Sequence, residues 1–184
     1  MRLATEYLSA TRAARQHLVL LHGWGANREI WRPLVARLRP WADTTLVDIP
    51  GCAPGLEPPQ ESGLDAVLAA LSACTAGPAV YVGWSLGGQL AIELALRDSA
   101  RVAAVITICS NPRFVATDAW PGMSGEVFGG FCASAAADPT AALRRFDSLQ
   151  VAGARGPRAL LRQLHDQCRG AGGPGLLAGL DWLQ

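Results

Sequence analysis

The hexapeptide Gly83-Trp84-Ser85-Leu86-Gly87-Gly88 constrains this chain more than any other stretch. It follows the apolar run Ala79-Val80-Tyr81-Val82 and opens a helical segment from Leu86 to Leu96. It therefore reads as a strand–turn–helix junction. A turn this tight leaves almost no room for side chains on its flanks, which accounts for glycine at 83 and 87. Ser85 then stands at the apex in a strained conformation, with its hydroxyl in a cleft. It also lies at a helix N-terminus, where unpaired N–H groups favour a developing negative charge. The pattern G-x-S-x-G is weak alone, because glycine and serine are common. In this setting it marks Ser85 as a candidate nucleophile.

The flanking sequence supplies a matching frame. His17 to Leu21 reads as a strand ending in His22-Gly23, and Asn27 as the cap of a helix through Leu38. Thr44 to Asp48 is a second strand, Asp65 to Cys74 a helix, and Val102 to Ile108 a further strand. Apolar runs alternating with helices predict an α/β fold, a parallel sheet covered on both faces. Residues 111–184 differ: no strand stands out. Thr140 to Val151 and Pro157 to Cys168 read as helices, Arg169 to Gly175 as a glycine-rich break, and Leu176 to Leu183 as a short helix. The expected organisation is an α/β layer over 1–110 and a helical module over 111–184.

An acyl-transfer serine needs an oxyanion hole. The N–H of Leu86, next after the nucleophile, is one expected donor. The loop His22-Gly23-Trp24-Gly25 closes the first clear strand and would give the second, the N–H of Trp24. The Trp24 ring would wall the acyl pocket. His22 is expected to brace this loop, since the base of an elbow-type site follows the serine in the chain.

These stretches, with Asp48-Ile49-Pro50-Gly51, resemble the α/β-hydrolase superfamily. Within it they resemble the pimeloyl-[acyl-carrier protein] methyl ester esterases of the biotin pathway. The closer likeness rests on His22-Gly23-Trp24-Gly25 with Trp31 after it, on the elbow itself, and on Ser110-Asn111-Pro112-Arg113-Phe114 followed by Asp118-Ala119-Trp120-Pro121-Gly122. Arg145-Phe146-Asp147-Ser148-Leu149-Gln150 resembles that family's cap helix along the substrate channel. The resemblance implies an α/β-hydrolase fold with a helical cap, and hydrolysis of a methyl ester on a pimeloyl chain carried by acyl-carrier protein. Ser85 would attack, Trp24 and Leu86 would hold the oxyanion, and Phe146, Asp147, Ser148, Leu149 and Gln150 would border the acyl chain. Arg145 and Arg158 match the arginines that would contact the carrier. Two departures stand out: Ala141 replaces another such arginine, and Gly51-Cys52-Ala53-Pro54-Gly55 replaces the usual Gly-x-Gly-x-Ser.

Charge adds an independent observation. The chain has 184 residues and a formal net charge of +1, with no lysine, so nucleic acid is not an expected partner. Between Arg144 and Arg169 six arginines stand against two aspartates. Such a stripe beside an active-site mouth would steer an acidic partner. The five cysteines are odd in number and have neither disulfide-framework nor zinc-site spacing, so reduced thiols in a cytoplasmic protein are expected; the chain is also expected to be a monomer. No signal peptide and no membrane span are expected, and no metal or cofactor.

The triad acid and base are not found. After Ser85 the one histidine is His165, inside a helical pattern, and Asp181 lies in the last helix; neither follows a strand. In the family both groups come after the cap, on loops behind the last two strands. The favoured expectation is a piece of a longer serine carboxylesterase, lacking C-terminal strands and helices and weakly active alone. A short form completed by another chain, a non-catalytic acyl- or carrier-binding descendant, and another small-ester hydrolase of the same fold stay open.

Overall fold

The computed structural model describes residues 2–50, 63–167 and 174–183. The Cys52 loop, and most of the glycine-rich break with Cys168 and Arg169, lie outside these residues. Five strands form one sheet: β1 (Ala4–Leu8), β2 (Gln16–Leu21), β3 (Ala42–Asp48), β4 (Ala79–Trp84) and β5 (Val102–Ile108). Their order is β1-β3-β2-β4-β5, with β1 antiparallel to β3 and the other pairs parallel. Three helices flank the sheet: α1 (Arg32–Leu38), α2 (Leu64–Ser72) and α3 (Leu86–Arg97). Four more follow: α4 (Gly125–Ala137), α5 (Pro139–Gln150), α6 (Pro157–Gln167) and α7 (Pro174–Asp181).

Alternation along β2 explains the layering. Leu18 and Leu20 pack with Trp31 and Val35 on the α1 side. Val19 and Leu21 pack with Val67, Leu71, Leu90 and Leu94 of α2 and α3 on the other. A strand between two helical layers must be apolar at every position, because successive side chains point to opposite faces. Leu20 and Leu21 are both fully buried, and each contributes roughly 1.5–3 kcal/mol of transfer free energy.

Four differences from the sequence expectation have local causes. β1 was not foreseen: it alternates half-buried and exposed residues and carries Glu6, whose carboxylate takes two hydrogen bonds from Arg32 at 2.6 and 2.8 Å. α4 was not foreseen either, since Gly129 and Gly130 interrupt its pattern. The helix from Asn27 begins as a 3-10 turn, Arg28–Trp31, before α1; the Asn27 side chain accepts from the Glu29 N–H at 2.9 Å. Finally, β5 is not covered on both faces. It ends the strand order, only Val102 and Val105 pack against the core, and Ile106 and Ile108 are exposed.

Candidate active site

β4 runs directly into α3 through Ser85, whose φ is 53°. This left-handed value is rare for a residue with a side chain and marks stored strain. The neighbours permit no relief. A Cβ on Gly83 would lie 2.2 Å from the Gly87 carbonyl oxygen, and one on Gly87 would lie 2.3 Å from that of Leu21. The apex is tied down by the Ser85 N–H to the Ile108 carbonyl at 3.0 Å, and by the Ser110 hydroxyl donating to the Ser85 carbonyl at 2.7 Å. As the first residue of α3, Leu86 has an N–H without a helical acceptor.

The loop after β2 comes up beside this apex: a Cβ on Gly23 would be 3.2 Å from the Ser85 Cβ. His22 is fully buried and holds the loop from both ring nitrogens. Its Nε2 accepts the Ile49 N–H at 2.9 Å, so the proton sits on Nδ1, which donates to the Gly23 carbonyl at 2.9 Å. That carbonyl shares a planar peptide unit with the Trp24 N–H. Fixing one end fixes the other, so His22 orients the expected oxyanion donor. Burial pushes the His22 pKa down to about 4 and keeps the ring neutral. Asp48 braces the next turn, accepting the Arg28 N–H at 2.8 Å and facing the Arg28 guanidinium at 3.4 Å.

The Trp24 ring is buried and joins three elements. Its Nε1 donates to the Leu176 carbonyl of α7 at 2.7 Å. Phe131 of α4 and Phe146 of α5 meet it edge-on at 5.4 and 5.3 Å. Around this contact lies a cavity of about 510 Å³, reaching Ser85 and walled mainly by Trp24, Phe114, Phe128, Phe131 and Phe146. Its few polar residues include Arg145 and Gln150. Of the five residues expected to border an acyl chain, Phe146, Leu149 and Gln150 line it. Asp147 and Ser148 are not among the lining residues. Asp147 accepts from Gln150 at 3.2 Å and faces His165 Nε2 at 3.3 Å, while the Ser148 hydroxyl donates to the Arg144 carbonyl. Arg158 is exposed on α6.

The site's other side is polar. A second cavity, about 270 Å³, is lined by Ser85, Gln89, Cys109, Ser110, Asn111, Phe114 and Leu183. No histidine of the chain lines either cavity. His17 bonds Thr45 at the far end of β2, His22 is locked in its loop, and His165 pairs with Asp147. Among the described residues no three potential metal ligands come together, and no helix is long and apolar enough to cross a membrane. The sequence profile of the alpha/beta hydrolase fold family matches residues 16–179.

This chain is an α/β hydrolase. Other α/β hydrolases match it in sequence and in shape. It is 42% identical over 155 residues to the biotin biosynthesis bifunctional protein BioHC of Cellvibrio japonicus, covering 83% of this chain and 30% of that one. It is 36% identical over 164 residues to the pimeloyl-[acyl-carrier protein] methyl ester esterase of Pectobacterium carotovorum, covering 88% of this chain and 63% of that one. The chain thus spans less than two thirds of the length of these relatives. An esterase from Exiguobacterium antarcticum superposes with a TM-score of 0.84 at 20% identity, over 98% of this chain and 69% of that one. That likeness speaks for the fold.

Proposed function

We propose that this chain carries the nucleophile, oxyanion loop and acyl-binding cap of a serine carboxylesterase acting on the methyl ester of pimeloyl-acyl-carrier protein. The observation that carries the reading is the aromatic-walled cavity that ends at Ser85. A long aliphatic chain gains roughly 0.8 kcal/mol per buried methylene there and presents a terminal ester to the serine. Residues 1–110 supply the hydrolase core and 111–184 the cap. Ser85 attacks the ester carbonyl, the N–H groups of Trp24 and Leu86 receive the oxyanion, and methanol departs. The names of the relatives support this choice of ester.

The carrier would dock on the arginines. Arg144, Arg145, Arg155, Arg158 and Arg162 are all exposed, and none forms a salt bridge among the described residues. Exposed guanidinium groups without a salt bridge, Arg145 among them lining the cavity, suit an acidic protein. Free thiols at Cys74, Cys109 and Cys132 fit a cytoplasmic protein.

The test is substrate protection of Ser85. A fluorophosphonate should label Ser85, with no adduct in Ser85→Ala, as read by intact mass. Methyl-pimeloyl-acyl-carrier protein should slow labelling, and the unloaded carrier should not. The double charge reversal Arg145→Glu/Arg158→Glu should weaken that protection by about tenfold, the equivalent of about 1.4 kcal/mol. Equal labelling with and without the loaded carrier would overturn the substrate assignment.

A further inference from the structure

Nothing in the backbone of α4 accounts for glycine at position 130. The residue stands in the interior of that helix, where glycine is among the weakest helix formers. Its φ is not left-handed. An added Cβ would meet nothing within 4 Å, so no neighbour excludes a side chain either. What the missing side chain leaves is open space, and that space belongs to the larger cavity. Gly130 lines it together with Val127, Phe131 and Ser134. These residues are three and four positions apart, so they share one face of α4. Ser134 adds little polarity to that face, because its hydroxyl donates back to the Gly130 carbonyl at 2.9 Å. Gly129 is just as open but does not line the cavity.

Resting on the reading of this cavity as the acyl pocket, we propose that Gly130 sets the length of acyl chain the pocket accepts. The wall on either side of it, Val127 and Phe131, is hydrocarbon, as is Leu149 of α5 in the same cavity. The group that fills the space at Gly130 is therefore aliphatic: the methylenes of a long chain. A larger side chain at 130 would occupy their room and leave a shorter chain its place. The helix keeps its poorest former at the one position of this face where any Cβ would take volume from the ligand.

The experiment measures binding of straight-chain methyl ketones, from 2-pentanone to 2-nonanone, by calorimetry. They carry a carbonyl at one end, as the ester does, and no serine hydrolyses them. For the parent chain the dissociation constant should fall by about fourfold per added methylene. Gly130→Leu should bind 2-pentanone like the parent and weaken 2-nonanone by on the order of tenfold, the loss of about two methylenes. Gly130→Ala should fall between the two, and Gly129→Leu should match the parent. Circular dichroism checks that each variant folds. A length profile unchanged in Gly130→Leu, or shifted equally in Gly129→Leu, would overturn this role and leave the acyl pocket standing. A parent chain whose affinity does not rise with length would overturn the acyl pocket and this inference together. Failed protection of Ser85 by the loaded carrier, with the length profile as expected, would remove the pimeloyl carrier and leave the role of Gly130 in place.

Discussion

His22 and the cysteines respond to conditions in opposite ways because their surroundings differ. The His22 ring is held neutral, with a folded pKa of about 4 against an ordinary value of 6.5. Between those values the unfolded chain binds a proton that the folded chain refuses. Stability therefore falls as pH drops from about 6.5 toward about 4 and stops responding to this group below. In urea titrations, the decline between about pH 6.5 and about pH 5 should be shallower for His22→Asn than for the parent chain; equal slopes would remove His22 as the cause. Burial pushes the Cys74 thiol up to about 11, whereas Cys109 is exposed and lines the smaller cavity. At neutral pH iodoacetamide should modify Cys109 and spare Cys74, as read by peptide mass. The same adduct should slow labelling of Ser85, its neighbour in the cavity.

Secondary structure shows where sequence speaks and where it is silent. The strand–turn–helix at Ser85 was legible because three glycines and a serine are forced by sterics that leave few alternatives. The core strands β2 and β4 were legible because burial on both faces demands unbroken apolar runs. β1 was not, because an antiparallel edge strand needs only one apolar face, and here Glu6 earns its place through Arg32 rather than through hydrophobicity. α4 was hidden by Gly129-Gly130, which lower intrinsic helicity. Its register comes instead from Phe128, Phe131 and Ala135, buried or half-buried in the main hydrophobic cluster. An added Cβ at Gly129 would meet nothing within 4 Å. Gly129→Ala should therefore raise stability by about 0.4–1 kcal/mol, visible as a higher melting temperature without change at the site. The polar roles within α5 were also illegible. Asp147 and Ser148 sit between cavity-lining residues in sequence, yet a helix turns them toward His165 and their own backbone.

Across the described residues the sheet is covered unevenly. The α1 side and the α2–α3 side of β2 are closed, while β5 presents an apolar strand with Ile106 49% and Ile108 37% exposed. Exposed apolar edges pair with other chains. Light scattering should show association that rises with concentration, and Ile106→Lys should reduce it without lowering the melting temperature; unchanged scattering would show that β5 is not the contact. The same unevenness explains why the site could be only half read. The elbow serine and the loop after β2 are local patterns, whereas the cavity is made by residues far apart in the chain. Trp24 meets its α7 partner across 152 positions. During synthesis the elbow and oxyanion loop therefore leave the ribosome long before the wall that encloses them. Closing so long a loop is slow compared with local structure, so the cavity beside Ser85 forms after the elbow. A nascent chain would hold Ser85 at its turn before the cavity beside it exists.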